Sequence, residues 1–227
     1  MSPVKPVRKG AGGRPRLLSR EQVIETALTL GLENLTMKRV ADELGVTIAT
    51  LYQYVADRDE MMRLAVGRVL SSMPLPEDAG QHWSIFIRDF ADAASRSMGA
   101  DAGIIARFLE GGVGLEPEAP AADYFLQCMT RRGFSLSEAT DILRLIGGVI
   151  FGAAMVMCRD RARSSRDGSP EQALRAVLAQ FAPDELPLLR QVADAYAAPM
   201  ARPAITLVEP LIRQIAQARG EEVARAS

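Results

Sequence analysis

Residues 36–58, TMKRVADELGVTIATLYQYVADR, read as two short helices joined by a tight turn. Thr36 carries a hydroxyl that can cap the first helix, and Val40, Ala41 and Leu44 then share one face at spacings of one, three and four. Gly45 stands just past the last apolar position, where a helix C-terminus calls for left-handed backbone. The small Ala41 lets a second helix approach closely, and Thr47 can cap that helix. In it Leu51 and Val55 point inward with Val46, which leaves Ile48, Ala49, Tyr52 and Gln53 facing outward. Two helices in this order form a helix-turn-helix, and the outward face is the part that a DNA groove would meet.

A supporting helix lies upstream. Ser19 followed by Gln22 is a capping-box spacing, and Val23, Ala27 and Leu30 repeat at helical intervals up to Gly31. The first 20 residues hold Lys5, Arg8, Lys9, Arg14, Arg16 and Arg20 with no acidic residue, a formal charge of +6. Such an arm is expected to order only against a phosphate backbone. Within it Gly13-Arg14-Pro15-Arg16 is an extended basic tetrapeptide suited to a narrow minor groove. The same composition suits a solubilising tail, and the sequence leaves both readings open.

The run from Arg20 to Arg63, with Ala41, Leu44-Gly45-Val46-Thr47, Thr50-Leu51-Tyr52 and Tyr54-Val55, resembles the DNA-binding domain of the tetracycline-repressor family of bacterial transcription regulators. The resemblance covers about a fifth of the chain at this strength and continues more weakly beyond. Trp83 to Arg88, Arg132 to Leu136, Gly148 to Gly152 and Leu186 to Gln191 are similar to segments of the ligand-binding domain of the family's tetracycline-sensing branch.

Length and composition suit that division. The chain of 227 residues has material for one large or two modest domains, and 48% apolar residues suffice for a buried core. Net charge is −1, so the basic arm concentrates charge where a nucleic acid would use it. By residue pattern no apolar run reaches the roughly 18 to 20 residues of a membrane span, and no apolar signal core follows the basic arm. A cytoplasmic protein is expected. Cys128 and Cys158 are isolated in apolar helical settings and read as reduced packing residues.

Beyond Arg63 an apolar helix is expected to break at Pro74-Leu75-Pro76. Further helices are expected over 82–99, 102–110, 121–132, 136–158, 170–181, 184–197 and 204–219, with loops over 111–120 and 159–170 and no strand alternation. The fold class is therefore all-α: an N-terminal three-helix helix-turn-helix domain and a larger helical domain. The boundaries run 1–18 for the arm, 19–66 for the helix-turn-helix and 67–227 for a ligand-binding and dimerisation domain.

Residues 142–157, ILRLIGGVIFGAAMVM, are apolar nearly all round and carry Gly147, Gly148 and Gly152, so this helix is expected to be buried on every side. Residues 204–218 place Ile205, Val208, Leu211, Ile212 and Ile215 on one stripe. The resemblance implies that these two helices build a four-helix interface in a homodimer. A purely intramolecular core is the competing reading.

Catalysis finds little support. His82 is the single histidine and stands at a helix start, where capping suits it better than general-base work. No nucleophile elbow, phosphate loop or Cys/His metal cluster occurs, and Gly111-Gly112-Val113-Gly114 follows no strand. No cofactor is expected. An architectural DNA binder without a ligand is the remaining alternative, and a collapsed, filled C-terminal domain would favour it.

Position by position, the resemblance implies base contacts by Lys38, Ile48, Ala49 and Thr50. It implies phosphate contacts by Thr36, Tyr52, Gln53, Tyr54 and Arg58; Thr47 at the helix start and, by their basic character, Arg14 and Arg16 of the arm complete the expected DNA-binding set. Ile48 and Ala49 replace a glutamine and a proline of the tetracycline-sensing branch and offer apolar contact, suited to thymine methyls. That branch holds its drug with polar side chains and its magnesium with histidines. The matching positions here fall near Pro74, Arg107, Phe90 and Phe125, so a magnesium-tetracycline site is not expected. An effector pocket is expected to be apolar, lined by Phe86, Phe90, Arg107, Phe108, Phe125, Met129, Phe151 and Met155. In it Arg107 would anchor an acidic or carbonyl oxygen of a flat hydrophobic ligand.

Overall fold

Ser19 begins the first helix as its spacing predicts: its hydroxyl accepts from the Gln22 N–H at 3.1 Å, and the Gln22 side chain accepts from the Ser19 N–H at 2.9 Å. The computed structural model describes residues 18–166, 169–198 and 202–224, and among them every regular element is a helix. The elements α1 (Arg20–Leu30), α2 (Met37–Leu44) and α3 (Ile48–Leu51) form the helix-turn-helix. Each cap falls where the residue spacing places it. The Thr36 hydroxyl accepts from the Arg39 N–H, Gly45 adopts φ 65° and ψ 30°, and the Thr47 hydroxyl accepts from the Thr50 N–H. Val23, Ala27, Val40, Ala41, Leu51 and Val55 close this small core.

Helix α4 (Arg58–Ser71), capped by Asp57, leads out of the reading head into the larger domain. That domain comprises α5 (Trp83–Met98), α6 (Ala102–Leu109), α7 (Ala119–Arg131), α8 (Leu136–Arg166), α9 (Pro170–Leu178), α10 (Pro187–Gln191), α11 (Ala193–Ala197), α12 (Ala204–Leu207) and α13 (Glu209–Arg219). Helix α8 is central and packs on α5, α6, α7 and α12. His82 caps α5, accepting from the Ser84 N–H, and its ring lies against Trp83.

Several expected boundaries move. The loop expected over 159–170 gives way to helix as far as Arg166, because charge alone does not stop a helix and Arg161 fastens this stretch by donating to the Gly99 and Ala100 carbonyls. The helix expected over 184–197 starts late and divides. Leu186 is left-handed at φ 55° ahead of Pro187, and Val192 leaves helical geometry between α10 and α11. The helix over 204–219 divides at Val208, where Pro210 opens the next helix without an N–H to continue the ladder.

Helix α8 is also not buried all round. Leu145 is 56% and Met155 40% exposed, and a Cβ built on Gly147, Gly148 or Gly152 would meet nothing within 4 Å. Its N-terminal 29 residues, Leu136–Ser164, are long and apolar enough to cross a membrane by length and composition alone, a test that the core helix of a globular domain also passes, and this is the one such helix among the described residues. The last helices turn their stripe the other way: Ala204, Val208, Ile212 and Ala216 are buried in the chain's own core. Both cysteines are free, Cys128 within the core and Cys158 half-buried.

A buried ion pair fastens the C-terminal helix. Arg88 on α5 is 4% exposed and donates to both carboxylate oxygens of Glu209 at 2.5 and 3.1 Å, to the Ser84 hydroxyl and to the Ala224 carbonyl. Trp83 adds a bond from its indole N–H to Glu221. The side-chain bond to Arg88 holds the Glu209 carboxyl below its ordinary range. Replacing Arg88 with Met is expected to cost about 2 to 3 kcal/mol in urea unfolding at neutral pH, since Glu209 keeps some access to water. A carboxylate lowered in the folded state stabilises above its unfolded pKa and loses that contribution as pH falls through the folded value. The gap between the parent and Arg88→Met should therefore shrink below about pH 4.3.

Candidate functional site

Two regions can do chemistry on a partner. The first is the outward face of the helix-turn-helix. Ile48 is 40% and Tyr52 54% exposed, and Thr36, Lys38, Thr47, Ala49, Gln53 and Arg58 are also exposed, so α2, α3 and the start of α4 present one continuous surface. Thr50 and Tyr54 are half-buried. The Thr50 hydroxyl lies 2.9 Å from that of Thr47, and Tyr54 packs on the core. Arg58 donates from Nε to the Leu35 carbonyl at 2.7 Å, which holds the guanidinium beside the α2 entry. Arg14 and Arg16 lie outside the described residues.

The second is a cavity of about 330 Å³ inside the larger domain. It is walled by Leu70 of α4 and Met73 just after it, Phe90, Ala94 and Met98 of α5, Phe108 of α6, Ala121 and Ala122 of α7, and Leu143, Gly147, Ile150 and Phe151 of α8. Glu118, just before α7, completes the lining. The domain is thus not collapsed and filled. Of the residues expected to line a pocket, Phe90, Phe108 and Phe151 do so. Phe86, Phe125 and Met129 are fully buried in the core behind it, where Phe125 meets Phe90 edge-on at 4.9 Å between ring centres. Met155 is exposed and outside the lining.

Arg107 is the main displacement. Adjacent residues on a helix are about 100° apart, so when Phe108 faces the cavity Arg107 turns away from it. Its guanidinium instead reaches Glu110 at 3.0 Å and Asp59, at the start of α4, at 3.8 Å, and its Nε is buried without a hydrogen-bond partner. Arg107 is therefore part of the joint with the reading head and not a cavity anchor. The ionisable residue in the cavity is Glu118, which falls in the segment expected as a loop, where no spacing or motif marks it.

The joint has a second bond. Asp101 caps α6 by accepting from the Gly103 N–H with one oxygen at 2.7 Å, and with the other accepts from the Leu32 N–H, in the α1–α2 loop, at 2.6 Å. Gly103 makes this approach possible: a Cβ there would lie 2.6 Å from the Leu32 side chain and 2.8 Å from its backbone. A larger open groove of about 720 Å³ runs between α1, α4 and the α6–α7 loop. It is lined with charges of both signs, Arg20, Arg63 and Arg68 beside Glu21, Glu25 and Glu116. Its opposed charges partly pair, Arg68 with Glu25 at 3.3 Å, which suits an interdomain seam. Among the described residues no group of three or more Asp, Glu, His or Cys side chains could hold a metal ion.

Comparison with known proteins bears on both regions. Residues 13–58 match the helix-turn-helix domain of resolvase. The chain is 31% identical over 147 residues to the tetracycline repressor protein class E of Escherichia coli, an alignment that covers 61% of this chain and 68% of that protein. Among solved structures, apo ActR from Streptomyces coelicolor superposes with a TM-score of 0.65 at 21% identity, covering 89% of this chain and 97% of that one. ActR in complex with actinorhodin gives 0.60 at 20% identity over 89% and 96%. The structural likenesses show that the arrangement of helices is shared.

Replacing Asp101 with Ala removes a helix cap and an interdomain bond together, and is expected to lower stability by about 1 to 3 kcal/mol in urea unfolding. Gly103→Val should cost at least as much by forcing α6 off Leu32. A melt unchanged in both variants would show that the joint does not hold the two regions together.

Proposed function

The chain belongs to the tetracycline-repressor family of transcriptional regulators, and from that premise we propose a homodimeric repressor that binds a palindromic operator and leaves it when a hydrophobic effector fills the cavity. A member of this family is a regulator and not an enzyme. The observation that carries the reading is the shared helix: α6 lines the cavity through Phe108 and holds the reading head through Asp101 and Arg107. A ligand that shifts α6 or the C-terminal end of α4, which lines the same cavity through Leu70, would turn the head. ActR bound to actinorhodin supports a cavity of this kind that takes a small molecule.

The exposed face of α8 around Leu145, Gly148, Gly152 and Met155 is the proposed dimer contact, since its apolar side chains have no partner within one chain. Two heads related by a twofold axis require half-sites one helical turn or a multiple apart. In each half-site Lys38, Ile48, Ala49 and Thr50 would meet bases, while Thr36, Thr47, Tyr52, Gln53, Tyr54 and Arg58 would hold phosphates. A regulator of this kind works in the cytoplasm. The effector is proposed not to be magnesium-tetracycline, because the cavity wall is apolar apart from Glu118 and His82 is occupied as the α5 cap.

The operator experiment is a fluorescence anisotropy titration over single-base variants of a selected palindrome. Tyr52→Ala is expected to weaken all variants alike, and Lys38→Ala to relax preference at one base pair by about 1 to 3 kcal/mol. Equal loss on operator and random DNA for both changes would overturn the assignment. Deleting residues 1–18 should reduce the salt slope of binding by about 0.9 for each phosphate that the arm neutralises, and an unchanged slope would make the arm a solubility tail.

For the effector, operator release is measured against a panel of metal-free aromatic compounds and tetracycline, with and without magnesium. Release of about 5- to 150-fold by a metal-free hydrophobic compound is expected. Magnesium-dependent release by tetracycline would refute the reading.

A further inference from the structure

The cavity has one charged wall. Of its thirteen lining residues Glu118 alone is ionisable, and the rest are aliphatic, aromatic, methionine or glycine. Resting on the reading of this cavity as the effector site, we propose that the effector is a hydrophobic cation. Its positive group is held by the Glu118 carboxylate, and its apolar body lies between Phe90, Phe108 and Phe151.

Glu118 has no structural task that would explain a carboxylate here. It precedes α7, yet its side chain makes no capping bond, and no described side chain hydrogen-bonds to it or pairs with it. Burial pushes its carboxyl up from the ordinary range, with no neighbouring charge to offset the effect. Glu118 itself is half-buried, and more deeply buried charges of this domain are paired. Arg88 meets Glu209, and Arg132 meets Asp78 at 2.6 Å while its guanidinium lies 4.9 Å from the centre of the Phe86 ring. The nearby cation that could have served, Arg107, is turned to Asp59 and Glu110. An anion left unpaired against an apolar wall favours a ligand that brings the opposite charge, and aromatic rings around it favour that charge further. A volume of about 330 Å³ matches the small end of drug-sized ligand sites.

The sign is the testable content. Three probes of one shape and different charge separate it: 9-(aminomethyl)anthracene as the ammonium, 9-anthracenemethanol as the neutral form and 9-anthracenecarboxylate as the anion. Each is titrated calorimetrically into the full-length chain at pH 7.5. The ammonium is expected to bind at least about 10-fold more tightly than the alcohol, and the carboxylate most weakly, as a charge-assisted bond requires. Glu118→Gln should erase the preference for the ammonium over the alcohol. Ala122→Phe, which fills the cavity, should weaken all three probes, with far-UV spectra and melting midpoints checked for both variants. Equal binding of ammonium and alcohol, a preference that survives Glu118→Gln, or tightest binding of the carboxylate would overturn the proposal. In those cases a block by Ala122→Phe would leave the cavity as the effector site. Failure of all three probes to bind, or binding that Ala122→Phe does not disturb, would remove the cavity reading as well.

Discussion

The carboxylate of Asp101 ties the start of α6 to the reading head. One oxygen satisfies an N–H left open at the α6 N-terminus, and the other takes the Leu32 N–H from the loop between α1 and α2. The bond is short because Gly103 has no Cβ to hold Leu32 away. From the far side Arg161 of α8 grips the carbonyls of Gly99 and Ala100, so the segment entering α6 is fixed by the reading head and by the central helix together. Arg107 adds a weaker contact one and a half turns along, and its unpartnered Nε marks a joint that is tight at one end and incompletely satisfied at the other. Both the cavity and the reading head are contacted from this one helix.

The reading head is legible in the sequence because its determinants are local. The hydroxyls of Ser19, Thr36 and Thr47 each bond to an N–H three residues on, and Gly45 supplies the left-handed turn that the chain needs before Val46 can turn inward. Nothing beyond a window of a few residues enters those geometries. The outward set, Ile48, Ala49, Tyr52 and Gln53, then follows as the complement of the inward one. Thr50 and Tyr54 belong to both sets, being half-buried, and no periodicity distinguishes a residue at the edge of a face from one at its centre.

The larger domain is legible as helices and not as a site. Phe86, Phe90, Phe125 and Phe151 look alike in the sequence, and only the packing decides that Phe86 and Phe125 fill the core while Phe90 and Phe151 border a void. For Arg107 an alignment position fixes a place along the chain but not a direction around the helix axis. The half-exposed face of α8 escapes prediction for a related reason: composition reports that a helix will be covered and is silent on whether the cover comes from its own chain. The stripe on α13 shows the other outcome, being covered from within by the Arg88–Glu209 pair and the core beneath it.

Charge placement ties these points together. In the larger domain three arginines with little-exposed side chains meet carboxylates: Arg88 has Glu209, Arg132 has Asp78, and Arg107 has Glu110 and Asp59. Desolvating a charge without a partner costs several kcal/mol or drives it neutral, about the scale on which the stability of a whole domain is set. Glu118 differs: it is half-buried, burial raises its carboxyl, and it borders the apolar cavity wall with no side-chain partner. Phe108 of α6 and Leu70 of α4 border the same space, so the cavity wall and the contacts that hold the reading head share two helices.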